Sequence, residues 1–337
     1  MIKILYSIVL LFFYGICFAQ NDYELPEVTS VIWNKKNDIR IKTTYDFNKL
    51  TKEEIKFKGG IIIRDANNKT GSNLFGGLSA IKVSENGKYL TTISDYSSVY
   101  KPSDFNKYRS RLFKFNITYD DSNFIEKAEL KAVSNLKDSL GVIINGGIES
   151  VATVNNAFYF SRDNSKELFV FNRSLDKAIK TIQFNKSNVD IEALTNTSDG
   201  NLLAIEQGTT PGERKVWVIN PIKQSFESKK YKSKYKEVKG ATTLKNGDII
   251  VLEKSYDSVK GTALGLSLVK ERKLTKKILV SKPILNVDYT KILDNFEGIT
   301  SYCSNGKEYI LIISDDNGDW KDNNGQRTLL LHFELNL

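Results

Sequence analysis

Apolar and polar residues alternate in short runs along most of this chain. Examples are Gly60-Ile61-Ile62-Ile63-Arg64, Tyr89-Leu90-Thr91-Thr92-Ile93, Arg111-Leu112-Phe113-Lys114-Phe115, Ala157-Phe158-Tyr159-Phe160 and Val216-Trp217-Val218-Ile219. The same texture returns in Asp248-Ile249-Ile250-Val251-Leu252, Tyr309-Ile310-Leu311-Ile312-Ile313 and Thr328-Leu329-Leu330-Leu331. A period of two over short β-rich runs predicts strands. Asn86-Gly87, Asp199-Gly200, Asn246-Gly247 and Asn305-Gly306 fall between paired runs. Glycine accepts the positive φ of a tight hairpin turn, so these dipeptides predict an antiparallel meander. Helical signals are confined to short stretches at 51–55 and 103–110.

The strands come in repeats. Ile148-Glu149-Ser150-Val151-Ala152, Ile191-Glu192-Ala193-Leu194-Thr195 and Phe296-Glu297-Gly298-Ile299-Thr300 read as copies. Val238-Lys239-Gly240-Ala241-Thr242 and Phe75-Gly76-Gly77-Leu78-Ser79 read as degenerate relatives. In the units of Glu192 and Lys239, an acidic residue (Glu206, Glu253) falls fourteen positions on; Asp163 stands in that place after Glu149. One strand–turn–strand unit cannot bury its own apolar faces, so such units must stack. Repeats of about 40–50 residues with four strands each have the size of propeller blades. The fold expected is therefore an all-β propeller of antiparallel four-stranded blades. Five units plus residues 27–75 give a count of six blades, with five or seven also compatible with the uneven spacing. A sandwich or β-solenoid does not account for acids that recur in phase.

The N-terminus sets a compartment. Lys3, the apolar run Ile4 to Phe13 and the small-residue site before Gln20 have the form of a secretory signal over residues 1–19, leaving 20–337 as one domain. Export to the periplasm or the outside follows. A lipid anchor through Cys17 is disfavoured by the bulk of Ile16. The apolar stretch is short for a membrane span, so no transmembrane segment is expected in the mature chain. That mature chain keeps one cysteine, Cys303, and has no disulfide available. The formal charge of +9 suits either attraction to an anionic small molecule or simple solubility. The Lys229–Lys239 cluster reads as a guarded strand edge, and no nucleic-acid partner is expected. Nothing points to assembly beyond a monomer.

Histidine is nearly absent. His332 stands alone, on the strand face opposite Leu331 and Phe333, and reads as a sheet-surface side chain. Two-histidine mechanisms and multi-histidine metal centres are thereby excluded. Cys303 reads as a small core residue. Carboxylates are the chemical resource. If each motif opens the innermost strand of a blade, Glu149, Glu192 and Glu297 converge at one end of the channel, with Lys239 and Gly76 in the two remaining equivalent places. Gathered carboxylates repel unless cations neutralise them. Hard, oxygen-seeking calcium suits that setting, with Glu149, Glu192, Glu206, Glu253, Glu297 and Asp315 as candidate ligands. Arg64, Arg111, Arg162 and Lys254 are candidate contacts for an anion. The same acids also suit a purely structural role, since structural roles recur in every blade.

Several segments resemble the phytase-like family described as "esterase-like activity of phytase". They are the Glu-small-apolar-Ala/Thr motif, Gly76-Gly77-Leu78-Ser79 with Ser94-Asp95, Leu252-Glu253-Lys254-Ser255-Tyr256, Ile313-Ser314-Asp315-Asp316-Asn317 and Gln326-Arg327-Thr328-Leu329-Leu330. They run in order from about residue 57 to 335. The resemblance implies an exported β-propeller and, by the family's description, hydrolysis of phosphate or related esters, with Glu149, Glu192 and Glu297 as candidate catalytic residues and calcium as cofactor. The alternative is a non-catalytic binding propeller that holds calcium structurally and presents loops 96–110 and 207–214 to a partner.

Overall fold

A computed structural model describes residues 28–32, 47–65, 75–95, 110–183, 189–317 and 326–337. The signal-like residues 1–19 and most of the 96–110 insertion lie outside them. The strands form five antiparallel sheets arranged as propeller blades. Blade 1 comprises Leu78–Val83, Tyr89–Ser94, Arg111–Tyr119 and Ile125–Asn135; blade 2 comprises Ile148–Val154, Ala157–Arg162, Glu167–Phe171 and Ala178–Gln183. Blade 3 runs Ile191–Asn196, Leu202–Glu206, Gly212–Asn220 and Ser225–Ser233, with Ile278–Leu279 added in parallel at its outer edge. Blade 4 comprises Glu237–Thr243, Ile249–Asp257, Gly261–Val269 and Lys282–Thr290.

Five blades lie within the expected range of five to seven, and blade 5 explains why there are not six. The described residues within 27–75 build no blade of their own. Ile55–Asp65 pairs with the C-terminal strand Thr328–Leu335, and Val28–Ile32 pairs with Ile55–Asp65. Together with Asn295–Ser304 and Lys307–Asp315 they complete one sheet. The two chain ends thus share a blade, and the ring closes through backbone hydrogen bonds.

The core lies in the seams between blades. Five clusters of buried apolar side chains correspond to the five seams. Phe113, Leu311 and Leu330 fill the seam between blades 5 and 1, for example, and Leu264, Ile310 and Leu331 the seam between blades 4 and 5. This stacking covers both faces of a blade. His332 is therefore fully buried rather than at the sheet surface, because its face of the strand meets blade 1. Its Nε2 lies 2.9 Å from the Tyr302 hydroxyl, within a cluster that includes Tyr119 and Tyr309. Cys303, expected in the core, is half-buried and lines a cavity at the lower end of the channel.

Candidate functional site at the propeller axis

The innermost strands share one irregularity. In each, the pairing with the second strand skips one residue: Ser79, Glu149, Glu192, Lys239 and Glu297. A β-bulge leaves its extra residue unpaired and re-aims it. Here, once per blade, it turns a side chain toward the central axis. The next residue is small in every blade (Ala80, Ser150, Ala193, Gly240, Gly298), as close approach of neighbouring inner strands requires. A Cβ on Gly240 would lie 2.9 Å from Ile299 Cγ2, and one on Gly298 would collide with the Ser79 carbonyl oxygen.

Glu149, Glu192 and Glu297 therefore meet, as the repeat implied, with Lys239 in the fourth place. The fifth place belongs to Ser79, not Gly76. Aligning the blade 1 motif on its glycine pair sets it three residues too early. Gly76 instead packs beside the Asp316 carboxylate, and Asp316 accepts a hydrogen bond from the Gly77 N–H at 3.2 Å.

The ring is internally bonded. Lys239 Nζ lies 3.0 Å from Glu192 Oε2 and 3.0 Å from Glu297 Oε2. Lys254 Nζ lies 2.7 Å from Glu297 Oε1 and 3.5 Å from Glu237. The Ser79 hydroxyl donates to Glu149 Oε2 at 3.2 Å. Burial opposes the charge of Glu297, but the Lys239 and Lys254 ammonium groups outweigh it and hold its carboxyl below the ordinary range. Burial pushes Glu192 well above that range, against the pull of Lys239. Burial also raises Glu149, to about 7, with Lys239 opposing and Glu297 and Asp163 assisting. Glu149 is half-buried, whereas Glu192 and Glu297 are buried. Asp190, at the rim, is lifted to about 6 by burial and by its hydrogen bond and proximity to Asp163.

Register separates the other expected residues. Asp95, Asp163, Lys254 and Asp315 occupy equivalent places along the second strands or just past them, beside Gly77, Gly147, Glu237 and Asn295. Glu206 and Glu253 sit one residue earlier, opposite Ile191 and Val238, and so face the seams. Glu206 accepts from the Trp217 indole at 3.1 Å, and Glu253 from Ser267 at 2.6 Å. The shared fourteen-residue spacing hid this difference: the blade 2 hairpin is one residue shorter, so Asp163 matches Gln207 rather than Glu206. Such a slip reverses the face. Arg64 is exposed in the fourth strand of blade 5. Arg111 is buried in the third strand of blade 1. Arg162 lies 3.7 Å from Glu167 and stacks on Phe169. Of the four expected anion contacts, Lys254 joins the axial network. Asp190 and Glu237, which line the mouth from the inner strands, were not anticipated. Counting two residues back from each bulge would have found them.

The residues on the axis do not fit a calcium ion. Both Glu297 oxygens and one Glu192 oxygen already face ammonium groups, and Glu206 and Glu253 point elsewhere. Among the described residues, no three His, Cys, Asp or Glu side chains are grouped to hold a metal. No helix among them is long and apolar enough to cross a membrane.

No curated protein matches the sequence. Among solved structures, the chain is similar to an α-L-arabinofuranosidase from Clostridium thermocellum (14% identity, 80% of this chain and 92% of that one, TM-score 0.48). It is also similar to the major Malassezia sympodialis allergen Mala s 1 (12% identity, 92% and 96%, TM-score 0.44). A third similarity is to the hydrazine synthase of Kuenenia stuttgartiensis (13% identity, TM-score 0.41), with 71% of this chain covered but only 55% of that one. At this level of likeness nothing about activity transfers. The sequence itself matches the phytase-like family, described as esterase-like activity of phytase, over residues 73–318. With most of the propeller inside that match, including all five axial residues, the chain belongs to the phytase-like family.

Proposed function

We propose that this propeller is an exported ester hydrolase whose reaction centre is the upper mouth of the axial channel, with Glu149 as general acid and base. One observation carries the reading. Glu149 is the one glutamate of the ring that keeps some solvent exposure, and burial places its carboxyl near pH 7, where both protonation states are populated. A catalytic acid–base works best with a pKa near the operating pH. Glu149 takes a proton from the attacking water as the water oxygen bonds to the ester centre. It returns that proton to the departing alcohol as the ester bond breaks. Lys239, fixed beneath, places positive charge where the transition state gains negative charge. Asp163, Asp190 and Glu237 make the mouth acidic, which suits an uncharged ester better than a heavily phosphorylated one. Phosphate esters remain within the class that the family description suggests.

The test is a panel of carboxylic and phosphate esters assayed across pH. A rate that follows one group near pH 7 is expected, with Glu149→Gln lowering kcat by roughly 10²–10⁴ and KM little changed. A variant as fast as the parent would sink the assignment. A second reading is a non-catalytic binding propeller, and the Glu192–Lys239–Glu297 bridge favours it, since it joins blades 3, 4 and 5 through both carboxylates. Its signature is ligand-induced thermal stabilisation without turnover of any ester in the panel.

A further inference from the structure

Two lysines of the inner strands reach the channel, and they differ in kind. Lys239, near the upper end, is bridged by two carboxylates. Lys82 lies near the lower end of the blade 1 inner strand, opposite Thr91, and lines a cavity of about 520 Å³ together with Thr153, Thr243, Ser301 and Cys303. It is half-buried, yet among the described residues no hydrogen bond or ion pair engages it. We propose that Lys82 is the nucleophile of a second site, at the lower mouth of the channel, which captures a small uncharged aldehyde as an imine. The site lies at the opposite end from Glu149 and does not rest on ester hydrolysis.

An ammonium withdrawn from water without a counter-ion is unfavourable. Two kinds of ligand relieve that: an anion, which supplies the missing charge, or a carbonyl compound, which consumes the neutral amine. The hydroxyls of the cavity decide between them. Ser301 donates its one proton to the Thr243 carbonyl oxygen at 2.9 Å, and Thr243 donates its own to the Asn196 carbonyl oxygen. A hydroxyl has a single proton, so neither has one left for an anion. Glu85 and Glu308 line the same cavity and repel an anion, with Lys245 partly offsetting them. Burial lowers the pKa of Lys82, against a weaker opposing pull from Glu85, so its neutral form is more populated than that of an exposed lysine. A desolvated lysine amine is the nucleophile of imine chemistry. The Nζ lone pair bonds to the carbonyl carbon, both amine protons pass to the carbonyl oxygen, that oxygen leaves as water, and a C=N bond remains. Electrons and atoms balance with no oxidant or reductant.

Reductive trapping on the full chain tests this. Propanal and cyanoborohydride are added at neutral pH, and propylation of each lysine is followed by peptide mass mapping. Lys245, exposed on the same lining, is the internal reference. Lys82 is expected to react at least about threefold faster than Lys245, and to reach half its limiting rate at a lower pH. The fast reaction should vanish in Lys82→Arg and persist in Cys303→Ser, which separates amine capture from capture by the neighbouring thiol. Labelling of Lys82 no faster than Lys245 in the parent protein overturns the proposal, and that comparison needs no variant to fold. Fast labelling that survives Lys82→Arg, or that is lost in folded Cys303→Ser, overturns it too. Protection of Lys82 by inorganic phosphate would reveal an anion site instead and is equally fatal.

Discussion

At the scale of single residues, His332 makes the most direct pH prediction. Burial, with help from nearby Lys58, depresses its pKa to about 3. The unfolded chain binds a proton near pH 6.5 that the folded chain refuses until about pH 3. The stability tied to neutral His332 is therefore complete above pH 6.5 and lost progressively as the pH falls toward 3. A tenfold difference in proton affinity between the folded and unfolded chains is worth about 1.4 kcal/mol, so the full loss amounts to a few kcal/mol. Urea unfolding of His332→Phe should show a shallower decline between these pH values than the parent. Lower stability at pH 7, by about 1 kcal/mol, is also expected from the lost bond to Tyr302. Parallel curves for the two proteins would refute the assignment. That a lone histidine lay on a polar face was legible in the sequence; that this face would be buried was not, because burial came from blade 1, some two hundred residues away in the chain.

Among the elements, the bulged inner strand decides the site. A regular strand would alternate its side chains, and Glu149, Glu192 and Glu297 would take whichever face the pleat assigned. The one-residue bulge releases each from that alternation and aims it at the axis. The small residue that follows is then a steric requirement. Gly298→Ala should destabilise the protein by about 1–3 kcal/mol, because its new methyl meets the Ser79 backbone, which cannot swing aside as a side chain can. Gly200→Ala is the control: no atom lies near its new methyl, and only the positive φ of 78° is penalised. Thermal unfolding of the pair reads the difference, and equal losses would mean that backbone crowding at the axis is unimportant. The three glutamates were visible from their repeated neighbours. Ser79 was missed because a glycine pair looked more like the motif than Leu78-Ser79-Ala80 did. Glu206 and Glu253 were misplaced because turn length, which sets the register, differs by one residue between hairpins.

For the molecule as a whole, closure is the decisive event. Ile61, Ile62 and Ile63 are buried in the seams on either side of blade 5, and their strand hydrogen-bonds the C-terminal one. A chain beginning at residue 66 would expose those seams and leave Thr328–Leu335 as an open edge. It should lose cooperative thermal unfolding, measured by circular dichroism, and regain it when a peptide of residues 47–65 is supplied. A truncated chain that melts like the parent would show that the ring does not depend on this strand.

The amino-acid sequence alone determined the strands, their hairpin turns, the repeating unit, the family resemblance and the convergence of three glutamates, because each depends on neighbours a few residues apart or on periodic recurrence. Tertiary structure decided the number of blades, the burial of His332, the facing of Glu206 and Glu253, and the arrival of Lys239 between two carboxylates. Those outcomes depend on register and on contacts between distant segments, and a linear pattern of apolar and polar residues carries neither distance nor direction across a seam.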